Sequence, residues 1–185
     1  MIYKLHTPIQ GKDIAKLHIG DIVLISGTIY TARDAAHKRL VELIKSNQEL
    51  PLELKDAIIY YVGPTPAKPN QAIGSAGPTS SYRMDPYVKD IIEKGSIISI
   101  GKGPRANYVK DLIKEHKGLY LSTIGGAAAA IGKTVIKREL IAYPDLGAEA
   151  IQKLEVKDFY AIVTYDSYGE DLFTKGIEDF RKKQN

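Results

Sequence analysis

The sequence predicts a layered α/β domain built on a mixed sheet, and three observations predict it. Apolar runs rich in β-branched residues recur along the chain at strand length. Amphipathic helical patterns separate several of these runs. In the second half the strand-like runs crowd together with few helices between them, which argues for a mixed sheet, or two stacked sheets, over a purely parallel one. The 185 residues hold no internal repeat and no low-complexity linker, so one domain over 1–185 is expected, long enough to bury a core.

Taken in order, the first strand signal is DIVLISGTIY at 21–30. A helix over 32–47 follows, with Ala36, Leu40, Leu43 and Ile44 on one stripe and Asn47 as its stop. AIIYYVG (57–63) is the next strand. DPYVKDIIEKG (85–95) then reads as a helix with Asp85 as N-cap, Pro86 at the first helical position and Gly95 as terminator. SIISIG (96–101) and LYLSTIG (119–125) are strands flanking a helix over 107–118. TVIKRELIAY (134–143), YAIVTYD (160–166) and a terminal helix over 176–183 complete the set.

Composition excludes several chemistries. There is no cysteine, hence no disulfide, no thiolate nucleophile and no cysteine-ligated iron–sulfur cluster held by this chain. The four histidines are scattered without zinc-like spacing, so no metal site is expected. The net charge of +4 is dispersed among acids, and only Arg181-Lys182-Lys183 forms a basic run, so nucleic acid is not an expected partner. MIYKLHTPIQ lacks the apolar core of a signal peptide, and IGGAAAAIG (124–132) is too short to span a bilayer. A cytoplasmic protein with no membrane partner is expected.

Three loops stand out as a shared anion site. In GTIYTARDAAH (27–37), Thr31 and Asp34 have capping-box-like spacing, which puts Arg33 near the second helical position. A cation is disfavoured there by the helix dipole, unless a bound carboxylate lies where the amides, the dipole and the guanidinium converge. A solvated surface arginine fits equally well, and His37, one turn on, reads as a helix-face residue. The second loop is GSAGPTSSYRMD (74–85). Gly74 and Gly77 permit close backbone approach or positive φ, Thr79, Ser80 and Ser81 supply hydroxyls, and Arg83 a second guanidinium fork. An ordinary Gly-Pro turn is the alternative. The third is IGKG (100–103), where glycines flank Lys102 directly after a strand. Two arginines and a lysine suit a small dicarboxylate, and Thr79 suits proton chemistry if a further group activates it.

TARDAAH, GPTSSYRM, IGKG, YPDLGAEAI (143–151) and YDSYGEDLF (165–173), in this order and at these separations, resemble the β subunit, or C-terminal domain, of class I iron–sulfur fumarate hydratases and their tartrate dehydratase relatives. The resemblance spans essentially the whole chain. It implies a swivelling β/β/α three-layer domain that docks on a larger α subunit, whose cysteines ligate a [4Fe–4S] cluster, in a higher hetero-oligomer. The implied reaction is reversible dehydration of (S)-malate to fumarate. By the same resemblance Arg33, Arg83 and Lys102 match contacts to substrate carboxylate and oxyanion, with Gly77 lining the site, and Thr79 matches the threonine that acts as base with an acid of the α subunit. Arg83 counts with Thr79 as catalytic. Thr79-Ser80 stands where many members have two threonines, and Gly169-Glu170-Asp171 where Gly-Asn-Asp is common. A tartrate dehydratase β subunit and a non-catalytic anion-binding module on the same domain remain the alternatives.

Overall fold

Two long antiparallel strands form the spine of the computed structural model, which describes residues 1–184. They are β2 (Ile22–Thr31) and β7 (Ile151–Tyr165), in register from Ile22 opposite Ile162 to Thr31 opposite Gln152. Along the far edge of β2, β1 (Ile2–His6) pairs with the first half and β3 (Ile58–Tyr60) with the last two residues, both parallel. β4 (Ile98–Gly101) and β5 (Leu119–Ser122) continue in parallel from β3. β5 then pairs antiparallel with the end of β7, while β6 (Val135–Ala142) flanks its beginning. The sheet is mixed, as the pattern predicts, and part of it closes: β2, β3, β4, β5 and β7 form a ring, a small barrel with β1 and β6 as flanking strands.

Closure depends on the length of β7, which the sequence conceals. Its first part, IQKLEVKDF, carries four charged residues among the apolar ones, so only the apolar end over 160–166 reads as a strand. The alternation is nonetheless that of a half-buried strand, with Leu154, Val156, Phe159, Ala161 and Val163 all buried in the main core. Ile58, Tyr60, Ile98, Ile100, Leu119 and Leu121 point into the same core from the parallel strands. Each large apolar side chain so buried contributes about 1.5–3 kcal/mol.

The opposite face of the parallel strands is covered by helices: α1 is the short Gly11–Ile14 turn, and the covering set is α2 (Asp34–Lys45), α3 (Asp85–Glu93) and α4 (Asn107–Glu115). Ile59 and Tyr61 pack with Ala36 and Leu40 of α2 and Ile91 of α3. Tyr120 packs with Val88 and Ile92 of α3 and Val109 and Ile113 of α4. The buried stripe of α2 is Ala36, His37, Leu40 and Val41, with Leu43 and Ile44 only half-buried at its margin. α5 (Ala128–Lys133) and α6 (Leu172–Gln184) complete the described elements. Among the described residues no helix is long and apolar enough to cross a membrane.

Candidate functional site

Strands β2, β3 and β4 run parallel, so their C-terminal ends face the same way, the edge where α/β folds gather ligands. Arg33 follows β2, Thr79 and Arg83 lie in the segment after β3, and Lys102 follows β4 immediately. The three loops are stitched together by specific contacts. Arg83 donates from Nε to Asp34 Oδ1 at 3.0 Å and places a terminal nitrogen 2.8 Å from Oδ2, a two-point grip that joins the second loop to the first. Ser80 bridges Lys102, the Ser81 amide donates to the Lys102 carbonyl at 2.9 Å, and the Lys102 amide donates to Ser81 Oγ at 3.0 Å. The Thr79 amide donates to the Tyr61 carbonyl at 2.7 Å, and the Arg33 side chain lies against Gly63, two residues beyond Tyr61.

Local chemistry differs from the expectation in four respects. First, Thr31 caps nothing. It is the last residue of β2, and its buried hydroxyl donates to the Ala150 carbonyl and accepts from the Gln152 amide, both at 3.0 Å. Arg33 itself is the N-cap of α2, in extended conformation. Second, Asp85 does not cap its own helix. A 3-10 turn over Ser81–Met84 leads into α3, and the Asp85 carboxylate instead accepts the Ala106 amide at 2.8 Å, serving the start of α4.

Third, only one of the two options for these glycines is realised: neither Gly74 nor Gly77 takes positive φ, while Gly74 shows the close backbone approach. A side chain at Gly74 would lie 2.2 Å from Thr65 Oγ1, so that glycine is demanded by packing of the loop on itself. Gly77 sits between Ala76, whose amide is held by the Ala128 carbonyl, and Pro78, which bridges Val62. Fourth, the carboxylate expected at the start of α2 is supplied by the chain. Glu149 places Oε1 3.3 Å from a terminal nitrogen of Arg33 and accepts the Ala35 amide on Oε2 at 3.4 Å. The segment bearing it, Pro144–Glu149, is also clipped to α2 through Asp145, bound twice by Arg39 at 2.9 and 2.5 Å.

Both candidate arginines therefore hold carboxylates of the chain itself, while Lys102 is exposed and forms no ion pair among the described residues. The Thr79 hydroxyl makes no hydrogen bond among them either. His37 is buried, with its Nδ1 2.9 Å from the Arg33 carbonyl and its ring edge-on to Tyr61. Burial pulls its pKa down to about 4, so it is neutral and donates from Nδ1 at physiological pH. The edge is open: Arg83 and Lys102 are exposed, and Tyr82 beside them is 64% exposed. A cleft of about 560 Å³ lies elsewhere, between the loop over Thr65–Ser75 and Lys133–Ile136, and none of the four candidate side chains lines it.

Sequence reasoning missed the structural roles of three polar residues that build this edge. Ser81 is fully buried and joins two loops, and Gly101 is glycine because a side chain there would lie 1.9 Å from Ser81 Oγ. Glu149 lies in a quoted motif, but its partner is 116 positions away in sequence. Arg105, in IGKGPRAN, has a completely buried side chain paired with Asp85. A metal-ligand-type group also forms across the sequence: His18, Asp166 and Glu170 have donor atoms within 4.8 Å of one another, at the opposite end of β2. The Asp166 carboxylate is already occupied by the amides of Ile19, Tyr168 and Glu170, so it serves a turn.

Comparisons with known proteins extend over nearly the whole chain. A family model described as "Fumarase C-terminus" matches residues 2–176. "Fumarate hydratase class I, anaerobic" of Escherichia coli (strain K12) is 46% identical over 152 residues, which are 80% of this chain and 28% of that protein. "Fumarate hydratase 2" of Leishmania major is 40% identical over 169 residues, 90% of this chain and 30% of the relative. The chain thus spans less than a third of the length of these two relatives. It spans 92% of a third, "Putative L(+)-tartrate dehydratase subunit beta" of Methanocaldococcus jannaschii, at 38% identity over 94% of this chain.

Proposed function

From the premise that the chain belongs to the fumarase C-terminus family, we propose that it is the β subunit of a two-subunit hydro-lyase interconverting (S)-malate and fumarate. One observation carries the division of labour: the chain matches less than a third of each of two fumarate hydratases but nearly all of a relative named as a subunit beta. The remaining length of the fumarate hydratases corresponds, in this reading, to a separate α subunit. The swivelling three-layer arrangement, the higher hetero-oligomer and a cytoplasmic location belong to the same proposal.

The chemistry suits the residues. Removing a proton beside a carboxylate places extra charge on that carboxylate, and Arg33, Arg83 and Lys102 are the cations of this edge that would stabilise it. Thr79 would receive the substrate's C3 proton only if its own hydroxyl proton passed to another group. Among the described residues no such acceptor touches it, so the partner must provide one. The C2–O bond then breaks as the C2–C3 double bond forms, and the departing hydroxide takes back one proton, equivalent to the one removed from C3, from a donor of the partner and leaves as water. Any [4Fe–4S] cluster would lie on the partner, because this chain has no cysteine to ligate one. This chain's share is the grip on carboxylates and the handling of one proton.

The test is co-expression with a cysteine-bearing α subunit, anaerobic purification of the complex and assay on (S)-malate and L(+)-tartrate. The complex should form fumarate from malate, and the chain alone should form none. A cluster-loaded complex inert to malate overturns the reading. Turnover of tartrate instead would establish the second reading, an L-tartrate dehydratase β subunit, which the near-complete match to the tartrate dehydratase relative favours.

A further inference from the structure

Beneath the open edge lies a buried guanidinium that the proposed reaction does not use. The Arg105 side chain has no exposure. It pairs through Nε with Asp85 Oδ1, and its charge lies 5.3 Å from the centroids of both Tyr61 and Tyr120, a cation between two rings. Its amide accepts support from the other side, donating to the Tyr165 hydroxyl at 2.8 Å. Such a desolvated pair is costly to assemble and is rigid once formed.

Each neighbour of Arg105 leads to a different candidate group. Asp85 begins α3 two residues after Arg83, so the ion pair anchors the turn from which Arg83 projects. Tyr61 receives Arg105 on its ring and, at 3.5 Å, on its hydroxyl, while its carbonyl accepts the Thr79 amide. The Tyr120 hydroxyl lies 2.8 Å from both Ser81 Oγ and the Gly103 carbonyl. Ser81 Oγ in turn takes the Lys102 amide. Three short paths thus leave one side chain and end at Thr79, at Arg83 and at Lys102.

We propose that Arg105 is a positioning residue, which sets the separation between the Thr79–Arg83 loop and Lys102 from below without touching substrate. The inference rests on the proposed hydratase reading for its kinetic consequence, though not for its structural one. A misplacement of the order of 1 Å between reacting groups costs about 100-fold in rate. Lysine at 105 would keep the charge beside Asp85 but lose the fork and the planar packing between the rings.

Two measurements on Arg105→Lys test it. In the isolated chain, amide hydrogen exchange should quicken at least tenfold at Ser81 and Lys102, with no change at Leu40 in α2. In the assembled enzyme, kcat should fall at least tenfold while KM changes less than threefold. Tyr120→Phe, which removes the bonds to Ser81 and Gly103 but keeps the ring, should move both readouts in the same direction and serves if Arg105→Lys does not fold. Unchanged exchange at Lys102 overturns the strut whatever the kinetics show. Quickened exchange with wild-type kcat overturns the positioning role. A wild-type complex without hydratase activity would instead sink the functional reading, and the exchange data would still decide the strut.

Discussion

Two arginine–aspartate pairs, their members Arg83 and Asp85 only two positions apart in sequence, occupy opposite surroundings. Arg83–Asp34 sits on the rim of the candidate site, the arginine side chain 42% exposed and gripping by two contacts. Arg105–Asp85 lies directly under that rim, the arginine side chain without exposure and its guanidinium against the rings of Tyr61 and Tyr120. At the rim water competes for both partners, so the pair is worth little and can be exchanged for another carboxylate at small cost. In the interior there is no competing solvent. Burial would by itself lower the Arg105 pKa, but Tyr61 and Asp85 outweigh it and hold the charge in place. One pair is therefore cheap to exchange and the other is held fixed, the contrast that the proposed function requires of a rim that takes a substrate carboxylate.

The largest expected effect comes from breaking the fixed layer. Asp85→Asn leaves the Arg105 charge buried without its counter-ion and should cost about 3–5 kcal/mol of stability in urea denaturation. The double variant Asp85→Asn with Arg105→Met should recover much of that loss, since it removes the stranded charge and refills the space with an apolar chain. Equal losses in the single and double variants would mean that packing, and not the ion pair, distinguishes the two layers.

A second prediction concerns His37, which shares Tyr61 with Arg105 in the buried layer. Burial lowers its pKa from 6.5 to about 4; the charge of Arg105 acts the same way, while the bond to the Arg33 carbonyl and the charge of Asp34 act against it. Between those two values the unfolded chain holds a proton that the folded chain does not. Stability must then fall as pH drops from 6.5 towards 4, and the His37 share of the loss at pH 4.5 is about 2–3 kcal/mol. Denaturation at pH 7 and pH 4.5 should show wild type losing that much more than His37→Phe, and parallel profiles would place the imidazole in contact with water.

The same contrast explains what could be read from the sequence. The groups of the rim were legible because their neighbours are local: Arg33, Thr79, Arg83 and Lys102 each announce themselves by glycines, prolines or a helix start within a few positions. The mixed α/β order was legible for the same reason, through periodicity. What closes the barrel and what supports the rim are long-range. The β2–β7 pairing joins residues more than 100 positions apart, and Glu149 answers Arg33 across a similar gap. Asp85 looked like a cap for its own helix because Asp before Pro is a local signal, yet its carboxylate was claimed by Arg105 and Ala106 from the next loop. Thr31 failed as a cap because β2 extends through it and places its hydroxyl against β7.

The smallest effect on stability should come from Arg83, and it is the most informative for function. Arg83→Ala removes an exposed ion pair, leaving Asp34 with 26% side-chain exposure to regain water, so denaturation should move by less than about 1 kcal/mol. If Arg83 exchanges Asp34 for a substrate carboxylate, as the proposed function requires, the same variant should lower kcat/KM of the assembled hydro-lyase by about 100-fold or more. Asp34→Asn separates the two roles of that grip. It keeps the shape but weakens the internal competitor, so it should leave Arg83 freer to take a carboxylate and should lower KM without a matching loss in kcat. An Asp34→Asn enzyme as damaged as Arg83→Ala would mean that Asp34 aims the guanidinium and does not merely occupy it, and the rim would then be as fixed as the layer beneath.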